Sequence, residues 1–171
     1  SKDLENHKGK VDNIVNVSCD MSPAFIKGVK ENLPKAEITF DKFHVIKILN
    51  EAVDSVRKQE VKEQEILKGM KFVFLKNESN LTENQHKKLK QLTCSKLNLK
   101  TIRALHLREN FQQIYEANTK AEFEDTLKQW YFWATHSQLE PMKKAAKTIK
   151  AHWDGIINWL ESKINNGILE G

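Results

Sequence analysis

Residues 17–44 read VSCDMSPAFIKGVKENLPKAEITFDKFH: an apolar run that stops on Asp20, a segment with helix signals, a second apolar run, and a stop on Asp41. In NIVNVSC, residues 13–19, Ile14, Val15, Val17 and Cys19 form a short, mostly β-branched stretch that reads as a buried strand. Ser22 is a strong N-cap residue, and Pro23 suits the first helical position because the N–H it lacks has no partner there. Phe25, Ile26, Val29 and Leu33 recur at helical spacing, and Pro34 disfavours helix at the residue before it, so about three turns are expected. AEITF, residues 36–40, alternates Ile38 and Phe40 as a second strand. Strand, helix and strand in so short a span make a βαβ unit, normally parallel and right-handed. Ligands of open parallel sheets gather beyond the carboxyl ends of the strands, where Asp20 and Asp41 stand.

After Phe43 the pattern turns helical, with one possible short strand at KFVFL, residues 71–75. From His44 to about Lys68, Val45, Ile48, Leu49, Ala52, Val53 and Val56 share one face, and Gly69 offers a C-cap. Thr82 with Gln85 and Thr119 with Glu122 match the capping-box pattern, and Asn98 can cap a helix running through Arg108 to about Glu116. Pro141 opens a further helix toward Trp153, and Gly155 is expected to separate it from residues 156–164. The fold class expected is therefore α/β, predominantly helical overall: a βαβ unit in residues 1–43, an all-helical insertion in 44–154, and a return to the core in 155–171.

With 171 residues, 39% hydrophobic and 30% charged, the chain can bury one sizeable core and is neither disordered nor membranous in composition. No run approaches the about 20 apolar residues that a membrane helix requires, and SKDLENHKGK is too polar for a secretory signal, so a cytoplasmic location is expected. Cys19 and Cys94 lack metal or redox spacing and read as reduced core thiols. A net charge of +5 suits a polyanionic partner, and basic residues in QHKKLK, KLNLKTIRALHLR and PMKKAAKTIKAH offer phosphate contacts or ordinary solvated helix faces.

Asp20 admits two readings, a turn former or a ligand for a hard divalent cation, which takes oxygen donors and keeps waters for a substrate to displace. Two such ions about 4 Å apart can flank a phosphodiester, which requires carboxylates from separate segments. Asp41 can cap the helix that follows while His44 bonds nearby backbone, or the pair can support a metal site at Asp20. In WYFW, residues 130–133, Trp130 shares a face with Phe123, Leu127 and Ala134 and reads as core, leaving Tyr131, Phe132 and Trp133 for burial or for stacking on splayed bases.

VSCDMS (residues 17–22) and LPKAEITFDKFHVIKILNEAVDSVR (33–57) together resemble bacterial insertion-sequence transposases of the DDE type, in the group called ISL-three. WLESKINNGILEG (159–171) is similar to the stretch of that family holding the last glutamate of its catalytic triad, and LKNESNLTENQ and LKQWYFWA fit its helical region. The resemblance covers nearly the whole chain. It implies a ribonuclease H-like core interrupted by a helical insertion, with Asp20 as the second catalytic aspartate and Glu170 as the catalytic glutamate. Both would ligate Mg2+ or Mn2+, two ions in the intact enzyme. Asp41 and His44 match a D-x-x-H element that supports the site. DNA is the implied partner, cut and joined at element ends by a homo-oligomer in the bacterial nucleoid. Asp3 and Asp12 lack the apolar context of a first catalytic aspartate, so the chain reads as a fragment of the catalytic domain, inactive alone. The rival readings are a noncatalytic helical DNA-binding or protein-interaction module, and a related nuclease that hydrolyses without joining strands.

Overall fold

The structure, a computed structural model, describes residues 14–94 and 98–160. Strand β1 (Asn16–Cys19) and strand β2 (Glu37–Phe40) pair in parallel, with Asn16 opposite Glu37 and Cys19 opposite Phe40. Helix α1 (Pro23–Asn32) is the crossover between them, as the βαβ reading requires. Ser22 takes the extended N-cap conformation, but its side chain makes no capping bond. The strand expectation needs one correction. β1 is not buried: its residues alternate between exposed and half-buried, and Val15 is exposed. Among the described residues β1 has β2 as its only strand neighbour, so apolar composition alone does not cover it.

Helix α2 (Lys42–Glu60) starts directly after β2. It ends at Glu60, earlier than the expected Lys68, and a 3-10 turn at Glu65–Leu67 precedes Gly69, whose φ of 74° is the left-handed backbone that glycine accepts without strain. KFVFL forms helix α3 (Lys71–Leu75), not a strand, because only two of its residues, Val73 and Phe74, meet the core, at a spacing that one helical turn satisfies. Helices α4 (Glu83–Thr93), α5 (Lys100–Ile114), α6 (Lys120–His136) and α7 (Glu140–Ala151) follow. The Thr82–Gln85 capping box is complete in both directions. At α6 only half of the pattern closes: Thr119 Oγ1 accepts from Glu122 N, while the Glu122 carboxylate turns to Asn118 N.

α2 packs on α5 and α7, α5 on α6, and α6 on α7, so these four helices close a ring around one core. Val45, Leu49 and Val53 of α2 are fully buried there with Phe111, Phe123, Leu127, Met142 and Ile149. Each such side chain contributes about 2–5 kcal/mol by the cost of truncating it. Trp130 lies in the same core, its Nε1 donating to Leu107 O at 2.7 Å and its ring edge-on to Phe111, in agreement with the sequence pattern.

Two contacts set helix positions that local sequence does not. Asn98 does not cap α5, whose N-cap position is Leu99. The Glu60 carboxylate caps it from a distance, accepting from Lys100 N, Thr101 N and Thr101 Oγ1, each at 2.7 Å, in a buried setting. Gly155 does not separate two helices either. The break falls at His152, and residues 153–160 are helical straight through Gly155. A Cβ on Gly155 would lie 2.4 Å from Phe40 Cε2, so glycine is what lets this last helix press onto β2. Asn158 Nδ2 donates to Ile38 O at 3.1 Å, on the edge of β2 that faces away from β1.

Glu60→Ala is expected to lower unfolding free energy by about 3 kcal/mol, since it strands two buried donors of Thr101 and the part-buried Lys100 N at once. Gly155→Ala should cost about 1–3 kcal/mol through overpacking against Phe40. Urea unfolding followed by far-ultraviolet circular dichroism measures both.

Candidate active site

The parallel register places Asp20 and Asp41 side by side, each one residue past the paired Cys19 and Phe40. Asp41 N donates to Cys19 O at 3.4 Å, closing the ladder. The Asp41 side chain then does what an N-cap does: its Oδ1 accepts from Phe43 N at 2.8 Å and satisfies one of the orphan donors of the first turn. That turn carries His44 to a place between the two acids. Its Nε2 lies 3.8 Å from Asp20 Oδ2, and its Nδ1 lies 3.8 Å from Asp41 Oδ2. These separations are too long for hydrogen bonds and short enough for charge to be felt. His44 Nδ1 is buried without a hydrogen-bond partner among the described residues. The structure thus brings Asp20, Asp41 and His44 together. Glu170 lies outside the described residues.

The Asp20 carboxylate is about half exposed at the end of β1. A half-exposed carboxylate suits a hard divalent cation, which binds oxygen and keeps part of its water shell. Among the described residues, no group of three or more His, Cys, Asp and Glu side chains is disposed to hold a metal ion. Burial first, and the Asp20 charge second, push the Cys19 thiol up, which disfavours a thiolate nucleophile beside it. Cys94 is exposed, contrary to the core reading, because it forms the C-cap of α4.

Across α2 from His44 lies a group that sequence reading missed. The Lys42 ammonium stands 5.0 Å from the ring centre of Tyr115 and 5.9 Å from that of Trp159, and these two rings meet edge-on at 4.7 Å. Tyr115 is buried and its hydroxyl has no hydrogen-bond partner among the described residues. Burial, and then the negative charge of Asp41, raise its phenol far above the ordinary range. No local pattern joins Tyr115 to Asp41. Only packing the C-terminal end of α5 against this rim does so.

Two of the basic residues of α5, read as offering phosphate contacts or a solvated face, have internal roles. Arg103 donates to Ser137 O, and Arg108 is buried, reaching Asn50 Oδ1 at 3.4 Å. Lys87 pairs with Glu83 and Lys143 with Glu140. Of the aromatic run, Tyr131 packs on Trp153, while Phe132 and Trp133 are exposed.

Asp41→Ala is expected to destabilise the fold by about 1 kcal/mol through loss of the cap, whereas Asp20→Asn should leave thermal stability nearly unchanged. Tyr115 gives a pH signature. Its folded-state value is raised, so its stabilising contribution is complete below the ordinary tyrosine value near 10 and is lost as pH rises beyond it. The stability difference between the wild type and Tyr115→Phe should therefore shrink between about pH 9.5 and 11.5, as read by urea midpoints.

The profile of the DDE transposases of ISL3 type, described as transposase, matches residues 2–171. The transposase of insertion sequence element IS1001 from Bordetella parapertussis is 27% identical over 171 aligned residues, covering 95% of this chain and 42% of that protein. The transposase of IS1557 from Mycobacterium tuberculosis is 24% identical, covering 92% of this chain and 41% of that protein. The chain therefore spans about two fifths of the length of these curated relatives. No solved structure matches. Among the described residues no helix is long and apolar enough to cross a membrane. The match along nearly its full length shows that this chain belongs to the ISL3 family of insertion-sequence transposases.

Proposed function

We propose that the chain is part of the catalytic domain of a DNA transposase that cleaves and joins strands at insertion-sequence ends. The observation that carries this reading is the Asp20–His44–Asp41 cluster at the carboxyl rim of two parallel strands, in a member of this family. In this reading Asp20 is the second acidic ligand and Glu170 the last. The core is ribonuclease H-like, and residues 44–154 form an insertion that returns to the core in 155–171. The outer edge of β1, unpaired among the described residues, supports it, since a further strand seated there would deliver a first carboxylate next to Asp20. That strand would come from the remainder of a protein of the relatives' length, and so the chain by itself would not cleave.

Asp20 and Glu170 would hold Mg2+ or Mn2+, two ions in the complete site; when bound they supply charge to the attacking and leaving oxygens of an in-line displacement. The residues of the chain prepare the place. Asp41 fixes the first turn of α2, and that turn sets His44 Nε2 3.8 Å from Asp20 Oδ2, on the protein side of the carboxylate. The outer side stays open to solvent and to DNA. Asp41 itself is committed to Phe43 N and acts as a support, not as a ligand. Action on paired ends would involve a homo-oligomer bound to DNA in the bacterial nucleoid.

In the full-length protein, Asp20→Asn and Glu170→Gln should each lower Mg2+-dependent cleavage and strand transfer of a labelled element end by about a thousandfold, because the metal's charge is worth several kcal/mol. End binding should stay within about twofold. Undiminished strand transfer by Asp20→Asn would refute the assignment. Salt-dependent DNA binding with no Mg2+-dependent chemistry would favour a noncatalytic module, and hydrolysis without joining would favour a nuclease.

A further inference from the structure

Lys42 occupies an unusual place for a lysine. It is the first residue of a 19-residue helix, where the partial positive charge of the helix end disfavours a cation by some tenths of a kcal/mol. It is half-buried, and no carboxylate pairs with it among the described residues. Its ammonium lies instead within reach of two ring faces, those of Tyr115 and Trp159. Rings attract a cation but accept none of its three N–H bonds in the way an oxygen does. The cage therefore fixes where the charge sits and leaves its donors unclaimed. The Tyr115 hydroxyl beside it is buried, without a hydrogen-bond partner among the described residues, and close enough to Asp41 to feel its charge. Asp41 in turn faces His44 and, through it, Asp20. A fixed cation with free donors thus stands on the same rim as the proposed metal ligand, on the opposite flank of α2 from His44.

We infer that Lys42 contacts a backbone phosphate of the DNA strand lying along this rim, with Tyr115 and Trp159 holding the ammonium in place. This deepens the transposase reading and rests on it. Lys42 combines a position held by two rings, no acidic partner among the described residues and a place directly after Asp41 at the end of β2, a combination that the other cations described above lack; Lys87 and Lys143 are paired, and Arg103 and Arg108 are tied to the helical core. Phe43, next in sequence and 82% exposed, flanks the same opening. Because a phosphate contact carries no sequence information, Lys42 positions DNA without choosing its sequence.

The test uses the 171-residue chain and a fluorescein-labelled 30-base-pair duplex, with affinity followed by anisotropy as KCl is varied. Lys42→Gln should make the slope of log affinity against log salt shallower by about 0.9 and weaken binding about five- to tenfold at 0.1 M salt; Lys42→Arg should restore both. Lys47→Met, at an exposed site further along α2, should change neither. Thermal melts compare the folds of the variants. A second measurement needs no variant: acetylation of Lys42 in the wild-type chain, read by peptide mass, should slow several-fold when the duplex is present, relative to Lys47. Salt-dependent wild-type binding with an unchanged slope in a folded Lys42→Gln chain, or equal acetylation with and without DNA, overturns the role of Lys42 and leaves the transposase reading intact. Absence of salt-dependent wild-type binding overturns the inference together with the DNA reading.

Discussion

One carboxylate, that of Asp41, joins strand to helix without an intervening loop. It ends β2, bonds the backbone of the first turn of α2, and so couples a two-stranded sheet rigidly to a 19-residue helix. Much else depends on that junction. His44 meets Asp20 only because the first turn is held; the fully buried stripe Val45, Leu49 and Val53 enters the four-helix ring only because α2 leaves the sheet at that angle. A loop of even a few residues there would uncouple the rim that holds Asp20, Asp41 and His44 from the core that stabilises it.

The far end of α2 plays the same part for another element. Glu60 satisfies the starting N–H groups of α5, which local sequence leaves uncapped. α2 thus depends on an acid at each end, one capping its own helix and the other capping a neighbour. Since α5 also brings Tyr115 to the rim, the Glu60 contact helps set the geometry around Lys42 and Asp41 from the opposite end of the helix. Burial of a carboxylate is tolerated at Glu60 because three donors replace its lost water.

The family and the geometry supply different parts of the functional reading. Family membership points to DNA transposition, and the relatives are more than twice as long as this chain. The geometry adds the local arrangement: paired strand ends, an imidazole between two acids, and an exposed carboxylate beside it. In the helical ring, Arg103 and Arg108 serve packing, and lysines such as Lys87 and Lys143 are paired along helix surfaces.

The βαβ unit, the place of Asp20 and Asp41, the capping box at Thr82 and the burial of Trp130 were all legible in the sequence, because each rests on interactions within a few residues or on simple periodicity. KFVFL misled because its four apolar residues fit a strand or one helical turn equally well, and only their neighbours choose. Asn98 and Gly155 misled for a related reason: a cap can be supplied by a distant acid, and a glycine can serve close packing as readily as a break. The Lys42–Tyr115–Trp159 cage had no local signature at all. Sequence determined the elements and the acids at their ends, since those obey short-range sterics and hydrogen bonding. Tertiary structure alone decided which side chains from distant helices surround those acids, since that follows from how the four helices share one core.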